Sequence, residues 1–474
     1  MDTIWVPDLS SHAGPKYQAL AAAISEAVRC GALKPGAQLP TVRDLAWRLG
    51  ITPGTVARAY ALSTQKGVTE AVVGRGTFVA QPRGRDDPSA AAALAFMHPP
   101  QPLVLRGEER GPVDLRALRL PEVGQTAEVS AAMKRVAASL VPDDLDYPSL
   151  EADLELRQAL CDWLGEELPG DYRADDMVVT SGGQQALGVV MAATLAGPRP
   201  VVLTEDLAYP GIRHAARLAR AEILGLEMDR EGVVPGVLEQ ICRRHQPQLC
   251  VLTAQGQNPT ASRMSLARRQ EIVAIARAHD LLLIEDNSYG ATDGGIPSFR
   301  ALAPERSYQI GSLSKSIAPA LRLGWVNAPG GQAELVRQVM RHTQFGVSRL
   351  LGEIGLDLLR SGAATAIREA LRRETAARLE SLVNRLGAFD LSWQPGLAFV
   401  WLRLPVGWRA SAFARAAEIE GVLVRPADEF VLVHGRAPHA LRLTLGGTAP
   451  RERFEAALGV ILRLLCAPPH ELSV

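Results

Sequence analysis

The stretch Tyr308-Gln309-Ile310-Gly311-Ser312-Leu313-Ser314-Lys315 ends in a lysine among small hydroxyl residues, and Arg322 follows seven residues later. A lysine amine condenses with an aldehyde once it has lost its proton, and a buried or cationic site favours that loss. Serine hydroxyls and a two-pronged arginine are suitable donors to phosphate oxygens. The stretch therefore predicts a strand that leads into a covalent site for a phosphorylated aldehyde. Lys315 in isolation would be interpreted as a solvated lysine in a serine-rich loop.

Short apolar runs alternate with helical stretches on the N-terminal side of Lys315. They lie at residues 177–180, 200–204, 248–252 and 281–285. Apolar runs without strict alternation are typical of strands buried on both faces, in a parallel or mixed sheet that helices cover. Beyond Arg322, a long helical region at about 331–386 leads into further strands, which predicts a smaller α+β domain packed on the sheet domain.

Several residues with binding chemistry follow these predicted strands. Gly183 and Gln184 open a helix whose N-terminus suits an anion. Tyr209 can stack on a planar ring. Asp286 can keep a pyridine nitrogen protonated. Taken singly, each of these residues is as easily explained by an ordinary turn or helix cap, and neither a G-x-G-x-x-G nor a G-K-[ST] nucleotide motif accompanies them.

A helix-turn-helix pattern lies near residue 50. Thr41 and Asp44 form a predicted capping box for a helix that stops at Gly50, and Thr52-Pro53 opens the next helix. The face of that second helix formed by residues 56, 59, 60 and 63 turns inward, which leaves Thr55 and Arg58 free to meet a DNA groove. Residues 74–79 predict a tight hairpin with Arg75 at its tip, near phosphates or in a minor groove. The competing interpretation is a small helical bundle with a solvated arginine face.

Chain length and net charge limit the number of domains and the class of binding partner. The chain has 474 residues and no net charge, which predicts two or three domains and argues against a large nonspecific polyanion binder. Residues 1–80 nevertheless carry eight Lys/Arg against five Asp/Glu, a balance that suits local DNA contact. Proline, glycine and charge dominate residues 81–110, which predicts a linker. Five scattered cysteines, no secretory signal and no long apolar run predict a cytoplasmic protein with reduced thiols, no membrane span and no metal site.

The N-terminal elements closely resemble, in their order, the winged helix of GntR-type transcription regulators. The resemblance implies binding to double-stranded DNA, with Arg43, Thr55, Arg58 and Arg75 as the contacts. The segments that carry it are Gly31-Ala32-Leu33-Lys34-Pro35-Gly36, Leu39-Pro40, Arg43-Asp44-Leu45-Ala46, Leu49-Gly50, Thr55-Val56-Ala57-Arg58-Ala59-Tyr60 and Gly74-Arg75-Gly76-Thr77-Phe78-Val79.

The strand-end residues resemble, over about residues 140–450, the fold-type I, aspartate-aminotransferase-like family of pyridoxal 5′-phosphate (PLP) proteins. The resemblance implies an α/β domain in which Lys315 is the Schiff-base lysine and Asp286 faces the pyridine nitrogen. It implies that Asn258 and Tyr289 contact the ring hydroxyl and that Tyr209 stacks on the ring. The residues that it implies at the phosphate are Gly183, Gln184, Ser312, Ser314 and Arg322.

The same resemblance implies roles for two more residues, Arg442 and Tyr147. The segment Leu441-Arg442-Leu443-Thr444 matches the place where the family holds an α-carboxylate, so Arg442 is the implied clamp for a substrate or effector. Tyr147 matches the family's tyrosine that reaches the phosphate bound by a partner subunit. The implied site therefore draws on residues from both ends of the larger part of the chain.

The order of domains resembles the MocR family, a branch of the GntR-type regulators. The predicted limits are 1–80 for the winged helix, 81–110 for the linker and 111–474 for the aminotransferase-like domain, with its large sheet domain at about 140–330 and its small domain at about 350–474. The resemblance implies a head-to-tail homodimer that binds DNA half-sites. It also implies a larger domain that binds PLP, and often an amino compound, to alter DNA binding.

Three functions remain open at this point. In the first, an amine-bearing effector displaces Lys315 from the cofactor, places its carboxylate on Arg442 and changes the arrangement of the winged helices. In the second, the protein is a working PLP-dependent aminotransferase that carries a DNA-binding module, and Lys315 moves the α-proton. In the third, the regulator senses PLP itself. Whether the protein is an enzyme thus stays undecided by the sequence.

Overall fold

The chain divides into two units, Met1–Glu108 and Glu109–Val474, called unit 1 and unit 2 below. The computed structural model describes residues 5, 7, 15–29, 32–34, 36–65, 68–72, 76–79, 111–148, 152–166, 170, 172–289, 295–432, 437–445, 447 and 449–467. The predicted linker and Arg75 lie outside the described residues. None of the described helices is long and apolar enough to cross a membrane.

The described residues of unit 1 form three helices followed by a hairpin. They are α1 (Lys16–Arg29), α2 (Val42–Leu49), α3 (Pro53–Gln65), β1 (Thr69–Val72) and β2 (Gly76–Val79). Both predicted helix starts are confirmed, because the Thr41 and Thr52 hydroxyls accept from the N–H groups of Asp44 and Thr55 at 3.2 and 3.3 Å. Gly50 ends α2 in the left-handed region at φ 60°, where a side chain would add strain.

The inner face of α3 is the predicted one. Val56, Ala59, Tyr60 and Ser63 are all buried, and the Tyr60 hydroxyl donates to the carbonyl of Pro40 at 2.8 Å. These side chains pack with buried residues of α1 and α2 in one hydrophobic core. Because this core uses the inner faces of all three helices, the opposite side of α3 stays open to solvent.

Unit 2 contains the remaining helices and strands. The first are β3 (Val113–Asp114), α4 (Gln125–Ala138), a 3-10 turn (Pro142–Leu145), α5 (Leu154–Gly165), β4 (Met177–Thr180), α6 (Gly183–Thr194), β5 (Val201–Glu205), α7 (Pro210–Leu218), β6 (Glu222–Leu226), β7 (Met228–Asp229), β8 (Gly232–Val233) and α8 (Pro235–His245). The central part has β9 (Leu249–Leu252), α9 (Leu266–Ala278), β10 (Leu282–Asp286), α10 (Phe299–Leu302), β11 (Ser307–Ser312), a 3-10 turn (Pro319–Leu321) and β12 (Gly324–Asn327). The last are α11 (Ala333–Gln344), α12 (Arg349–Arg360), α13 (Ala363–Leu386), β13 (Leu391–Ser392), β14 (Phe399–Arg403), α14 (Ala410–Ile419), β15 (Val422–Leu423), β16 (Arg425–Pro426), a 3-10 turn (Ala427–Glu429), β17 (Ala440–Thr444) and α15 (Arg451–Cys466).

The large sheet has seven strands in the order β4-β12-β11-β10-β9-β5-β6. β12 runs opposite to the other six strands, so of the predicted alternatives, a parallel or a mixed sheet, the mixed one is confirmed. Separate hydrophobic cores lie on the two faces of the sheet, one with helices α6, α7 and α11 and one with α8 and α9. Strands covered on both faces need apolar residues at successive positions, which explains why their sequences do not alternate.

The smaller part of unit 2 is built on a second sheet. Its four antiparallel strands have the order β13-β14-β17-β16. Their core packs against α14, α15 and the C-terminal end of α13, and it also includes Val113 and Leu115, because β3 pairs with β15. By contrast, α12 and the first turns of α13 pack with α5 and the edge of the large sheet. The limits predicted for the large and small domains stay predictions.

Candidate functional site

The ends of the central strands bring the predicted binding residues to one edge of the large sheet. Strands β4, β5, β9, β10 and β11 all run in the same direction. Their carboxyl ends therefore meet at one edge, the usual place for ligands in such sheets. Asp286 lies beside Ile310 in the register of β10 and β11, so Lys315 follows the same strand edge a few residues farther on.

Lys315 lines a cavity of about 80 Å³ together with Ser312 and Tyr289. Its Nζ donates to the main-chain carbonyl of Leu118 at 3.3 Å. Burial lowers the pKa of Lys315 to about 8, and the positive charges of Arg442 and Arg322 act in the same direction. A lowered pKa makes a neutral, nucleophilic amine available near neutral pH, which is the state that aldehyde condensation requires.

Asp286 ends β10 and is held by the turn that follows it. One of its carboxylate oxygens accepts from the N–H and the hydroxyl of Ser288, at 3.0 and 2.5 Å. Burial raises the pKa of Asp286, while these two bonds and the charge of Lys315 lower it. The bonds fix the direction of the carboxylate and leave its second oxygen for another donor, such as a protonated ring nitrogen.

The loop before α6 forms a cradle closed by an arginine. Gly182 has φ 97°, and a Cβ there would lie 2.6 Å from a guanidinium nitrogen of Arg322. Arg322 is itself in the left-handed region and donates to the carbonyl of Ser181 at 2.8 Å. Gly183 is the first residue of α6, so free N–H groups of the helix face this loop. The cradle therefore has the donors that a phosphate requires.

The other predicted phosphate residues take different positions. The side-chain amide of Gln184 donates to the carbonyl of Gly211 at 2.9 Å, so its main-chain N–H is the group that faces the cradle at the helix N-terminus. Ser312 ends β11 and lines the Lys315 cavity. Ser314 is buried next to Lys315 in the chain. Their roles toward a phosphate stay predictions.

Arg442 is 3% exposed and is held on several sides. Its two terminal nitrogens donate to Oδ1 of Asn258 at 2.8 Å and to the carbonyl of Arg116 at 2.5 Å. Its guanidinium also lies over the rings of Phe430 and Phe399, with centroids at 4.9 and 5.7 Å. Burial lowers its pKa to about 10. Each terminal nitrogen carries a second N–H, and the buried Nε has no partner among the described residues, so the guanidinium keeps N–H donors for an anion.

Two side chains complete the wall near Lys315. Because Oδ1 of Asn258 accepts from Arg442, its Nδ2 group remains the donor that a phenolic oxygen would need. The ring of Tyr289 meets that of Phe399 edge-on at 5.2 Å, and burial raises the pKa of its hydroxyl, so the hydroxyl stays protonated. Tyr209 directly precedes α7, with part of its ring exposed. Its predicted stacking on a cofactor ring stays a prediction.

Tyr147 is exposed and lies beside Phe345, the residue that follows α11. It is 78% exposed, and its ring centroid is 5.3 Å from that of Phe345. Its predicted contact involves a partner subunit and stays a prediction.

Three of the predicted DNA-contacting residues, Arg43, Thr55 and Arg58, belong to the described part of unit 1. Arg43 and Arg58 are exposed on α2 and α3, and Thr55 is half-buried with its hydroxyl 2.9 Å from that of Thr52. The contact of Arg58 with DNA stays a prediction, and the structure adds a neighbour for its side chain. Its guanidinium lies 4.1 Å from the ring centroid of Tyr17 on α1. The aromatic ring attracts the cation and orients it, so α1 takes part in presenting the recognition helix.

Some contributors to the site have no signal in the sequence. The carbonyls of Arg116 and Leu118 accept from Arg442 and Lys315, which lie 326 and 197 residues away in the chain. Main-chain acceptors at such separations leave no local motif. Tyr17 was missed for the same reason, because the pattern within α3 alone says nothing about the neighbour of Arg58. Only the packing of the helices reveals these contacts.

Comparison with known proteins agrees with both halves of this picture. The family model "Aminotransferase class I and II" matches residues 120–461, and the model "Bacterial regulatory proteins, gntR family" matches residues 16–79. The chain is 28% identical to the uncharacterized HTH-type transcriptional regulator YdeF of Bacillus subtilis, over 97% of this chain and 96% of that protein. It is 27% identical to the HTH-type pyridoxine biosynthesis transcriptional regulator PdxR of Corynebacterium glutamicum, over 77% of each.

A solved structure gives the same result for unit 2. LysN, the α-aminoadipate aminotransferase of Thermus thermophilus, crystallised with N-(5′-phosphopyridoxyl)-L-leucine, superposes with a TM-score of 0.66 at 25% identity. The match covers 75% of this chain and 92% of LysN. The fold is thus that of the PLP-dependent aminotransferases. The chain belongs to the class I and II aminotransferase family and carries a gntR-type DNA-binding domain ahead of that fold, the arrangement of the MocR regulators.

Proposed function

We propose that this protein is a transcription regulator whose winged helix binds a promoter and whose larger unit binds PLP and responds to PLP, to an amino compound, or to both. One observation carries the proposal. A buried cationic site around Lys315, with Asp286 and Arg442 nearby, shares a chain with a helix-turn-helix whose outer face is open to solvent.

The residues at the sheet edge fit PLP. The cradle of Gly182, Gly183 and Arg322 suits its phosphate, since a Cβ at Gly182 would collide with the arginine. Lys315, with its pKa lowered to about 8, suits its aldehyde. Asp286 suits its ring nitrogen. When bound, PLP supplies an aldehyde that amines attack and a pyridine ring that withdraws electrons.

The chain's own groups then have distinct tasks. The Asp286 carboxylate, oriented by Ser288, holds a proton on the ring nitrogen. The Asn258 amide and the Tyr289 hydroxyl donate to the ring oxygen. Arg442 uses its unpaired Nε to bind the carboxylate of an amino compound. Lys315 is the group that an incoming amine must replace. The N–H donors of the cradle formed by Gly182, Gly183 and Arg322 hold the phosphate.

Regulation requires that the ligand prefers one arrangement of the protein. A ligand with equal affinity for two arrangements shifts nothing. We propose that binding at Arg442, which lies on β17 of the small sheet, moves that sheet toward the Lys315 edge and changes how the linker holds the winged helices. The small sheet and the large one both contribute to Arg442, through β17 and Asn258, so the arginine is a suitable point of coupling.

The proposal is tested with DNA from the region upstream of the protein's own coding sequence. Fluorescence anisotropy of that DNA should report binding, and the affinity should change on addition of PLP or of a candidate amine to PLP-loaded protein. A change of DNA affinity on addition of PLP alone would favour a regulator that senses PLP itself. If the protein bound none of this DNA even at low salt, the proposed role as a transcription regulator would be contradicted.

An aminotransferase that carries a DNA-binding module is the second candidate. The intact set of Lys315, Asp286 and Arg442 favours it, because a lysine with a pKa of about 8 is suited to proton transfer. Sustained conversion of a keto acid in the presence of amino donors would support this enzyme. A change of the visible spectrum without turnover would support the regulator.

The lowered pKa of Lys315 predicts a pH profile for PLP capture by cofactor-free protein. Only the neutral amine reacts, so the rate should rise about tenfold per pH unit at acidic pH and level off above a pH of about 8. Stopped-flow absorbance measures the rate. In Arg442→Gln, which removes a nearby cation, the break should move to higher pH. A wild-type rate that keeps rising to pH 10 would contradict the assigned environment.

The position of Arg58 over Tyr17 predicts graded effects on promoter affinity. Arg58→Ala should weaken binding by about 1–3 kcal/mol if the arginine reads a base edge, and should flatten the salt dependence if it meets phosphate. Tyr17→Leu should cost about 0.5–1 kcal/mol through loss of the oriented cation, while Tyr17→Phe keeps the ring and serves as the control. Anisotropy titrations over a range of salt give both quantities. Wild-type binding by Arg58→Ala at every salt concentration would exclude both roles.

The predicted homodimer is supported by exposed apolar side chains between residues 133 and 147 and between residues 345 and 350. Clustered exposed apolar side chains are typical of protein–protein interfaces. We expect light scattering to give the mass of two chains, and Leu145→Arg to shift it toward one. A wild-type mass of one chain at micromolar concentration would refute the dimer. The side chains are Met133, Leu140, Val141, Leu145, Tyr147, Phe345 and Leu350.

A further inference from the structure

The cavity beside Lys315 has an unusual charge balance. Four cationic side chains line it, and its lining residues, all of them described, include no aspartate or glutamate. The four are Lys315, Arg119, Arg368 and Arg372. The rest of the wall is largely aromatic, aliphatic or small. A partly enclosed space with cations and no lining carboxylate has a positive potential that favours an anion.

The cations of the wall differ in the ion pairs, ring contacts and hydrogen bonds that they form with neighbouring residues. Arg368 contacts Glu166 at 3.2 Å and lies over the ring of Trp163 at 4.2 Å. Arg119 forms a main-chain bond to Ala117, but its guanidinium has neither a hydrogen bond nor an ion pair with any described residue. It is therefore the uncompensated charge of the wall.

The position of Arg119 is set by the same segment that contacts Lys315. The carbonyl of Leu118, its immediate neighbour, accepts from Nζ of Lys315, and the carbonyl of Arg116 accepts from Arg442. Residues 116–119 therefore connect the carboxylate-binding arginine, the reactive lysine and the cationic wall. A ligand that engages Lys315 and Arg442 lies next to this segment, within reach of the cavity.

Arg119 and Arg372 are different residues from the arginines proposed to bind the phosphate of PLP and the first carboxylate of the ligand. Arg322 anchors the phosphate cradle through Ser181, and Arg442, held by Asn258, is the proposed clamp for the carboxylate beside the amine. Arg119 and Arg372 have no task in that scheme. The cavity of about 80 Å³ is large enough for a carboxylate or sulfonate on a short chain.

We infer that the amino compound recognised by this protein carries a second anionic group, a carboxylate or sulfonate remote from its amine, which Arg119 and Arg372 bind in the cavity beside Lys315. The inference rests on the proposed function, since it concerns the ligand of the same site. The same cationic wall would also accept a free dicarboxylate, and the experiment separates these two sources.

The test compares ligands of equal length with PLP-loaded full-length protein. L-glutamate and L-2-aminoadipate are titrated against L-norvaline and L-norleucine, and binding is followed by the visible spectrum and by calorimetry. We expect the acidic ligands to bind at least tenfold more tightly. Arg119→Gln should reduce their affinity by about 10- to 100-fold and leave the neutral ligands unchanged, which also shows that the variant is folded.

Neighbouring arginines of α13 provide a matched pair of variants. Arg372→Gln should weaken the acidic ligands as Arg119→Gln does. Arg373→Gln is the control, because that side chain is 73% exposed and pairs with Glu369 on the outside of the helix. Glutarate, which has no amine, is titrated in parallel. Calorimetric binding of glutarate that Arg119→Gln abolishes would establish the anion site with a free dicarboxylate as its source.

Failure of the inference differs from failure of the proposed function. Equal affinity for acidic and neutral ligands, together with wild-type behaviour of Arg119→Gln, would overturn the anion site and leave the amine sensor intact. An acidic preference that Arg373→Gln removes as fully as Arg119→Gln would also overturn the assignment. If no amino compound of either kind perturbed the spectrum or released heat, both the inference and the amine sensor would fall.

Discussion

Replacing Lys315 by alanine is expected to abolish covalent attachment of PLP, with complete loss of the visible band of lysine-bound cofactor. Lys315 is the lysine of the cavity wall, and its lowered pKa comes from burial and from Arg442 and Arg322. Among the described residues its side chain forms a hydrogen bond only to the carbonyl of Leu118, so its removal should leave the fold intact. Absorbance of protein saturated with PLP, beside far-ultraviolet circular dichroism, measures both effects.

The lysine content of the chain makes the control simple. The sequence has five lysines, at positions 16, 34, 66, 134 and 315. Lys134→Ala, on the exposed side of α4, should retain the full visible band. Borohydride reduction of the wild type followed by peptide mapping should place a pyridoxyl group on Lys315. A normal band in Lys315→Ala, or a tag on another lysine, would refute the assignment and the cofactor site with it.

Replacing Arg269 by methionine is expected to cause the largest loss of stability. Arg269 is fully buried on α9, donates to the carbonyls of Pro297 and Ala254, and lies 3.9 Å from the carboxylate of Glu285. Its removal leaves that carboxylate buried without its cation and several carbonyls without a donor. Breaking such a pair from one side costs about 3–5 kcal/mol. The loss in free energy of unfolding is measured by urea denaturation monitored by circular dichroism.

A second arginine of the same helix provides the control. Arg277 pairs with Glu305 at 2.9 Å, with both side chains about half exposed, so Arg277→Met should cause a much smaller loss because water replaces the partner. The sign of the pH dependence gives a further check. Burial raises the pKa of Glu285, and removal of Arg269 raises it further. The deficit of Arg269→Met should therefore shrink as the pH falls and Glu285 becomes protonated. Equal losses in the two variants would contradict the buried pair.

Loss of Arg269 should also affect PLP binding. Glu285 directly precedes Asp286 on β10, and its carboxylate accepts from the N–H of Phe299 at 2.7 Å. The Arg269–Glu285 pair thus holds the end of the strand that presents Asp286. We expect a folded fraction of Arg269→Met to bind PLP less tightly than Arg277→Met does, which links the stability of this edge to its chemistry.

Much of the fold could be predicted because its signals are local. The caps at Thr41 and Thr52, the left-handed Gly50 and the inward face of α3 follow from residues within a few positions of one another. The central strands could be recognised from continuous apolar runs, since burial on both faces demands them. Lys315, Asp286 and Arg322 could be predicted as site residues because their order at the ends of those runs resembles that of the fold-type I family.

The remainder required the folded chain, because it depends on contacts between distant segments. Arg58 could be assigned to DNA from its helix, but its orientation over Tyr17 depends on how α1 crosses α3. Arg442 could be predicted as an anion clamp, but only the folded chain shows that Asn258 and the carbonyl of Arg116 already accept from two of its N–H groups. The cationic cavity with Arg119 has no motif at all.

Residue order alone thus predicted the succession of elements, since propensity and capping act over short stretches, and the resemblance that it carries predicted PLP as the cofactor and Lys315 as its lysine. The folded arrangement added the surroundings of these residues: the lowered pKa of Lys315, the bonds that hold Arg442 and the uncompensated charge of Arg119. Burial and electrostatic fields depend on everything nearby in space, and residues two or three hundred positions apart become neighbours only when the sheet and its helices have assembled.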